Sequence, residues 1–370
     1  MSRFFSIFSL LDWTLLIGVV TLTSIGLLAI YGIGISQEPG QLFPFYKQLV
    51  AVAIGLIIMT TLTILDYRHI RSLSVLLYLA GAFLLFLVLI FGATVNGTRG
   101  WFQLAGLSFQ PVEVGKITLT AYLAALLARV GRGQLSWRLF GLSGAATAVY
   151  IGLVMLQPDF GSAMVMWATW GILCIFKGLP KRAWVILPIV AALCGTLLWS
   201  FGLKPYQRAR ITTFLNPTHD VRGSSYNATQ ARIAIGSGGL FGKGIGEGSQ
   251  ARLRFLPEAA TDFMFAVLGE EWGFVGVTVI LGTFGLILWR YVVIAQESGD
   301  EFATLLLVGL GSILFIHVTV NTGMNLGVMP VTGIPLPFLS AAASYMTVTF
   351  ISVGCAESVA VRRRGSTSEE

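Results

Sequence analysis

Long apolar runs recur along this chain, and no other feature narrows its fold so far. The runs at 15–35, 50–65 and 73–93 reach or approach the ~20 residues that cross the hydrocarbon core of a bilayer. Similar runs continue to the end of the sequence. Backbone without internal hydrogen bonds cannot face lipid, so each run is expected to be helical. Composition agrees: 11% of the 370 residues are charged, against roughly 25% in a soluble protein. We expect an all-α integral membrane protein with about ten transmembrane helices, centred near residues 24, 56, 83, 122, 148, 168, 193, 278, 313 and 349. Residues 1–361 read as a single polytopic domain, with a long extracytoplasmic loop at 204–261 between helices 7 and 8 and a basic, polar tail at 362–370. The first run is too long for a signal-peptide core and lacks a small-x-small cleavage site, so it is read as retained.

The net charge of +7 would suit a nucleic-acid partner, but its placement points to membrane topology. With the amino terminus inside, the cytoplasmic segments hold Arg3, Arg68, Arg71, Arg129, Arg132, Arg138, Lys177, Lys181, Arg182, Arg290 and Arg362 to Arg364. The short loops on the other face hold Lys47, Arg99 and Lys116. This positive-inside bias puts both termini in the cytoplasm and the long loop outside. Cys174, Cys194 and Cys355 lie far apart within apolar runs and read as small hydrophobes. His69, His219 and His317 are scattered, and no HExxH, GxSxG or paired Cys/His set is present. Metal hydrolysis and Ser-His-Asp chemistry are therefore not expected.

Four polar clusters fall on the outer face. In "NGTRGWFQLAGLSFQPVEVGK", Pro111 suits the first position of a helix. Glu113 and Lys116, three apart on that helix, form either a self-neutralising pair or part of a site. Arg99 and Trp101 suit a phosphate and a sugar ring, although a tryptophan there equally suits an interfacial anchor. "QPDFG" carries Gln157 and Asp159 in a tight turn, with Asp159 also fitting a helix cap. The long loop is basic and glycine-rich, offering Arg208, Arg210, Arg232 and Lys243 to an anion. Its "IGSGGLFGKGIGEG" does not match a nucleotide P-loop. The fourth cluster, "NTGMNLGVMPVTGIPLPFLSAAASYM", is rich in proline and reads as a rigid outer segment.

Together "RGWFQLAGLSFQPVEVGKI", "QPDFGSAM", "YQRARITTFLNP", "QARIAIGSGGLFGKG", "FLPEAATDF" and "GIPLPFLS" resemble the SEDS family of cell-wall polymerases, over residues 12 to 361. The pattern looks more like the elongation (RodA) branch than the division (FtsW) branch. The resemblance implies a peptidoglycan glycosyltransferase that joins lipid II units outside the cytoplasmic membrane. Its implied partner is a class B penicillin-binding protein. The same resemblance maps the family's essential aspartate onto Asp262 and its outer tryptophan onto Trp101. The helix-four acid and lysine map onto Glu113 and Lys116, and an arginine onto Arg210. One departure is "SAAAS" at 340–344, where the family has Ser-Tyr-Gly-Gly-Ser. The change stiffens the start of the last span.

In the implied reaction a sugar hydroxyl attacks an anomeric carbon and lipid pyrophosphate leaves. One base and cationic partners for the phosphates suffice for that chemistry. Asp262 is the base candidate, with Arg210, Lys243, Lys116 or Arg99 as phosphate partners and Glu258 as an assistant. A divalent cation, magnesium or manganese, is compatible with this set. If a helix begins near Asp262, Glu270 lies about 12 Å deeper, so Glu270 and Glu271 are assigned to packing. Asp262 as a plain helix cap, a lipid II flippase and a non-catalytic scaffold are the competing readings.

Overall fold

The computed structural model describes the chain except residues 1–8, 37–41, 96, 105–106, 132, 198, 201–204, 216–223, 254 and 366–370. Among the described residues, nine helices are long and apolar enough to cross a membrane. They are α1 (Trp13–Ser36), α2 (Phe43–Ile64), α4 (Ser74–Phe91), α5 (Pro111–Leu127), α6 (Trp137–Leu156), α7 (Phe160–Lys177), α12 (Met264–Glu297), α13 (Glu301–Leu326) and α14 (Ala343–Gly365), with a short α3 (Tyr67–Ser72) between α2 and α4. The run expected near residue 193 forms α8 (Ala183–Leu197), which is 15 residues long and carries Pro188 inside it. Proline removes a backbone donor and obstructs the preceding turn. The fold is the all-helical membrane bundle expected.

The packing explains which helices are apolar all round. Helices α13 and α14 are buried on most sides, and α4 and α6 leave most of their surface to lipid. The last helix packs along α2, and α5 sits between α4, α7 and α13. At one end of the bundle, Asp12 accepts hydrogen bonds from Arg290, including one from Nε at 3.0 Å. It also accepts from Arg363 Nη2 at 3.1 Å, and its own N–H donates to Glu357. Arg363 reaches Glu297 as well, at 2.5 Å, and Arg362 pairs with Asp66. The basic residues assigned to a tail thus begin inside α14. Arg362 and Arg363 are ion-pair partners, and Arg363 joins the last helix to Asp12 near the start of the chain.

The other end carries the polar clusters. The glycine-interrupted stretch before Pro111 forms a three-stranded antiparallel sheet, β1 (Ala93–Val95), β2 (Thr98–Leu104) and β3 (Leu107–Phe109). Among its described residues the long loop contains three helices, α9 (Pro205–Leu215), α10 (Ser224–Ser237) and α11 (Ser249–Arg252).

The helix expected to begin near Asp262 starts at Met264 and runs unbroken past Glu270; α12 breaks at Gly273, whose φ of 65° lies in the left-handed region. The "GGLFG" turn fits that break. Phe274 N–H donates to Gly239 O, and Val275 N–H to Leu240 O. A methyl at Gly273 would sit 2.3 Å from Gly242 N. The first turns of α12, Met264 to Glu271, are buried on every side. They do not descend as a straight continuation of the spanning part.

Candidate active site

The four clusters are bound to one another by hydrogen bonds. From the sheet, Gln110 N–H donates to Ser344 Oγ (3.3 Å), whose hydroxyl donates to Ser108 O (2.8 Å). Gln110 Nε2 reaches Asp159 Oδ2 at 3.3 Å, and Asp159 Oδ1 caps α7 by accepting from Ser162 N–H at 3.0 Å. From the long loop, Gln207 Nε2 donates to Pro158 O (3.1 Å) and Arg210 Nη1 to Val331 O (3.3 Å). Backbone and side chain both matter in the alanine-rich stretch. Ala341 N–H donates to Ala260 O (2.7 Å), and Ser340 Oγ donates to Thr261 O (2.6 Å).

Asp262 lies in the turn before α12 and does not cap it. The cap position is Phe263, and no side chain accepts from the helix there. The plain-cap reading is therefore set aside. The Asp262 carbonyl instead accepts from Asn321 Nδ2 at 2.9 Å and Asn325 Nδ2 at 3.2 Å. Its carboxylate faces Gly333, where an added methyl would sit 3.5 Å from Asp262 Oδ2 and 3.9 Å from Arg210 Nη1. Burial pushes the Asp262 carboxyl up to about 6, the Glu258 charge adds to that, and Arg210 pulls it back. A carboxylate with a midpoint near 6 is ionised at neutral pH yet basic enough to take a proton.

Two hollows flank this segment. One of about 70 Å³ is lined by Thr98, Asp159, Gln207, Arg210 and Thr332. The other, about 350 Å³, is lined by Ile30, Ile33, Pro44, Leu256, Glu258 and Thr261, so an apolar wall leads to a polar edge. Glu258 accepts from Thr261 Oγ1 at 2.9 Å.

The remaining sequence candidates stand further off or are already engaged. Glu113 and Lys116 form a buried ion pair at 2.9 Å inside α5. Lys116 also donates to His317 Nε2 (3.2 Å), so the His317 Nδ1–H is directed at Pro335 O (3.3 Å). Lys243 is bound to Glu270 Oε1 at 2.7 Å and to Ser237 Oγ at 2.8 Å. Glu270 gathers further donors from Ser249 and Gln250, which fixes the glycine-rich turn. Arg99 donates to the carbonyls of Ile90 and Gly92 and ties β2 to α4. Trp101 is half-buried on the same strand. Gln157 is buried, with Nε2 on Leu85 O at 3.2 Å. Sequence reasoning missed Asn321, Asn325 and Gly333. The signal for the first two was a pair of carboxamides four apart in an apolar run.

A family model described as a cell cycle protein, covering FtsW, RodA and SpoVE, matches residues 6–365. The chain belongs to this family. Its SEDS relatives include the stage V sporulation protein E of Bacillus subtilis, 37% identical over 93% of this chain and 95% of the relative. The peptidoglycan glycosyltransferase MrdB of Escherichia coli is 34% identical, over 96% of this chain and 94% of that one. The probable peptidoglycan glycosyltransferase FtsW of Coxiella burnetii is 35% identical, over 93% and 94%. Among solved structures, a chain from a peptidoglycan synthase complex that coordinates polymerization and crosslinking matches with a TM-score of 0.81 at 34% identity, over 95% of this chain and 98% of that one. Thermus thermophilus rod shape determining protein RodA matches with a TM-score of 0.71 at 31% identity, over 95% and 97%. Identity does not separate the branches: the sporulation protein E, MrdB and FtsW relatives stand within a few per cent of one another. SEDS membership and a multi-pass membrane fold are common to all of them.

Proposed function

We propose that this chain is a peptidoglycan glycosyltransferase that polymerises lipid II, with Asp262 as the general base. The observation that carries the reading is the near-neutral carboxylate of Asp262 beside Arg210, at the meeting point of four polar clusters. Asp262 takes the proton from the attacking sugar hydroxyl as the new glycosidic bond forms at the anomeric carbon. Pyrophosphate departs without needing protonation, so the second carboxylic acid of a glycosidase is not required. Arg210 neutralises charge that grows on the leaving phosphates, where a fixed cation contributes most. The apolar wall of the larger hollow suits the lipid part of a substrate, with Glu258 and Thr261 at its polar edge.

Among the described residues no group of three or more His, Cys, Asp or Glu side chains gathers to hold a metal ion. Asp262 and Glu258 offer oxygen ligands for magnesium or manganese, which would arrive with the substrate's pyrophosphate as its counter-ion. It would supply charge neutralisation, and no step above passes through it. We place the active end outside the cytoplasmic membrane and both termini inside, from the distribution of Lys and Arg. An elongation role with a class B penicillin-binding protein is the reading we favour, from the "IAIGSGGLFGKG" and "FLPE" motifs. A flippase would need polar groups open through the bilayer. The buried Glu113–Lys116–His317 group is instead closed on itself.

The test is a gel assay of purified protein with its partner, lipid II and a divalent cation. Long glycan strands support the proposal. Movement of lipid II across vesicles without strand formation contradicts it.

A further inference from the structure

Two buried carboxamides on α13 have no place in the chemistry above. Asn321 and Asn325 are fully buried and stand one turn apart, so they share a helix face. Amides in a membrane span are costly unless their hydrogen-bonding groups are used. Here both Nδ2 groups donate to the main-chain carbonyl of Asp262, and Asn325 Nδ2 donates also to Asn321 O at 2.8 Å. Asn321 Nδ2 donates in addition to Ile334 O at 2.8 Å. Ile334 follows Gly333, the residue wedged against the Asp262 carboxylate and Arg210. Arg210 is attached to the same strip of chain through Val331 O. A single amide therefore joins the segment that carries the base to the segment that carries its cationic neighbour. Ser340 holds the adjacent carbonyl of Thr261 from the other side.

We propose that Asn321, supported by Asn325, is a positioning residue that sets the Asp262 carboxylate in register with Arg210. The inference rests on the catalytic reading of Asp262. Both amides are fully buried and donate to the Asp262 carbonyl, so their loss acts on the chemical step through Asp262. A displacement of about 1 Å at a base costs on the order of a hundredfold in rate.

Asn321→Asp is the most informative variant, because it keeps the volume but places a second acceptor against two carbonyls. In the lipid II polymerisation assay kcat for Asn321→Asp is expected to fall by about tenfold or more, with KM within about twofold of wild type. Asn325→Ala keeps the bonds that Asn321 Nδ2 donates to Asp262 O and Ile334 O, and it is expected to lose several-fold in kcat. It serves as the second variant should Asn321→Asp fail to purify as a monodisperse protein. Wild-type kcat in Asn325→Ala together with wild-type kcat in a folded Asn321→Asp overturns the proposal. A rise in KM at constant kcat also overturns it, by assigning the amides to substrate binding. If wild-type protein makes no glycan, the catalytic reading fails and the positioning role with it. A polymerising wild type with indifferent variants sinks the positioning role alone.

Discussion

Gly333 separates Asp262 from Arg210: a methyl on its Cα would stand 3.5 Å from the carboxylate and 3.9 Å from the guanidinium. Its φ of 75° lies where a side chain is strained. Gly333→Ala adds a backbone penalty of about 1–2 kcal/mol and sets an apolar methyl in van der Waals contact with the carboxylate, where it cannot pair with it. We expect a modest fall in melting temperature and a much larger fall in polymerisation rate. Both are readable on one preparation in detergent.

The pH dependence follows from the same neighbourhood. Asp262 must be ionised to accept a proton, and burial holds its midpoint up at about 6. Activity should therefore be present above that pH and be lost as pH falls through it. Glu258→Gln removes a like charge and should shift the acid limb to lower pH. Arg210→Gln removes the stabilising cation and should shift it higher. A kcat/KM profile of the three proteins measures both shifts, and identical acid limbs would disconnect these groups from the base.

At the opposite end, Asp12 is buried between Arg290 and Arg363. Burial raises its carboxyl, but the Arg290 hydrogen bonds, the Leu15 N–H and the charges of Arg290 and Arg363 together hold it below the usual carboxylate range. Asp12→Ala removes the buried carboxylate that Arg290 and Arg363 share. Breaking a buried pair costs about 3–5 kcal/mol. Glu247 and Arg252 are both more than half exposed, at 3.8 Å, so Glu247→Ala should change stability little. Thermal unfolding in detergent compares the two. Asp12→Ala should unfold at a clearly lower temperature.

Lys243 is accounted for by Glu270 rather than left for a phosphate. Lys243→Met should lower thermal stability, by about 1 kcal/mol for a partly solvated charge-assisted bond, and leave KM for lipid II unchanged. With Glu270→Gln the two losses should be non-additive, as expected for residues in contact. A raised KM with intact stability would return Lys243 to the substrate site.

The spans were legible because hydrophobic length alone dictates helix in lipid, and Pro111 and Asp159 declared their helix starts through local chemistry. The break at Gly273 was hidden, since "LGEEWGFVG" continues an apolar run and glycine is common in membrane helices. Only the turn at 239–242, distant in sequence, fills the gap that the break leaves. The small sheet escaped for a related reason: β1 and β3 are three residues each, too short to show alternation. Asp12 is a lone acid before the first span, and its partners lie 278 and 351 residues away. Asp262 was found by motif, whereas Asn321 and Asn325 act through a carbonyl, and a carbonyl carries no sequence identity.

The most direct measurement is polymerisation of lipid II by purified wild-type protein and by Asp262→Asn, each with its penicillin-binding partner. Asparagine keeps the size and the main-chain carbonyl that Asn321 and Asn325 hold, and it removes only the base. The account expects glycan strands from wild type and none from Asp262→Asn, with partner binding and melting temperature unchanged. Equal strand formation by the two proteins would contradict it.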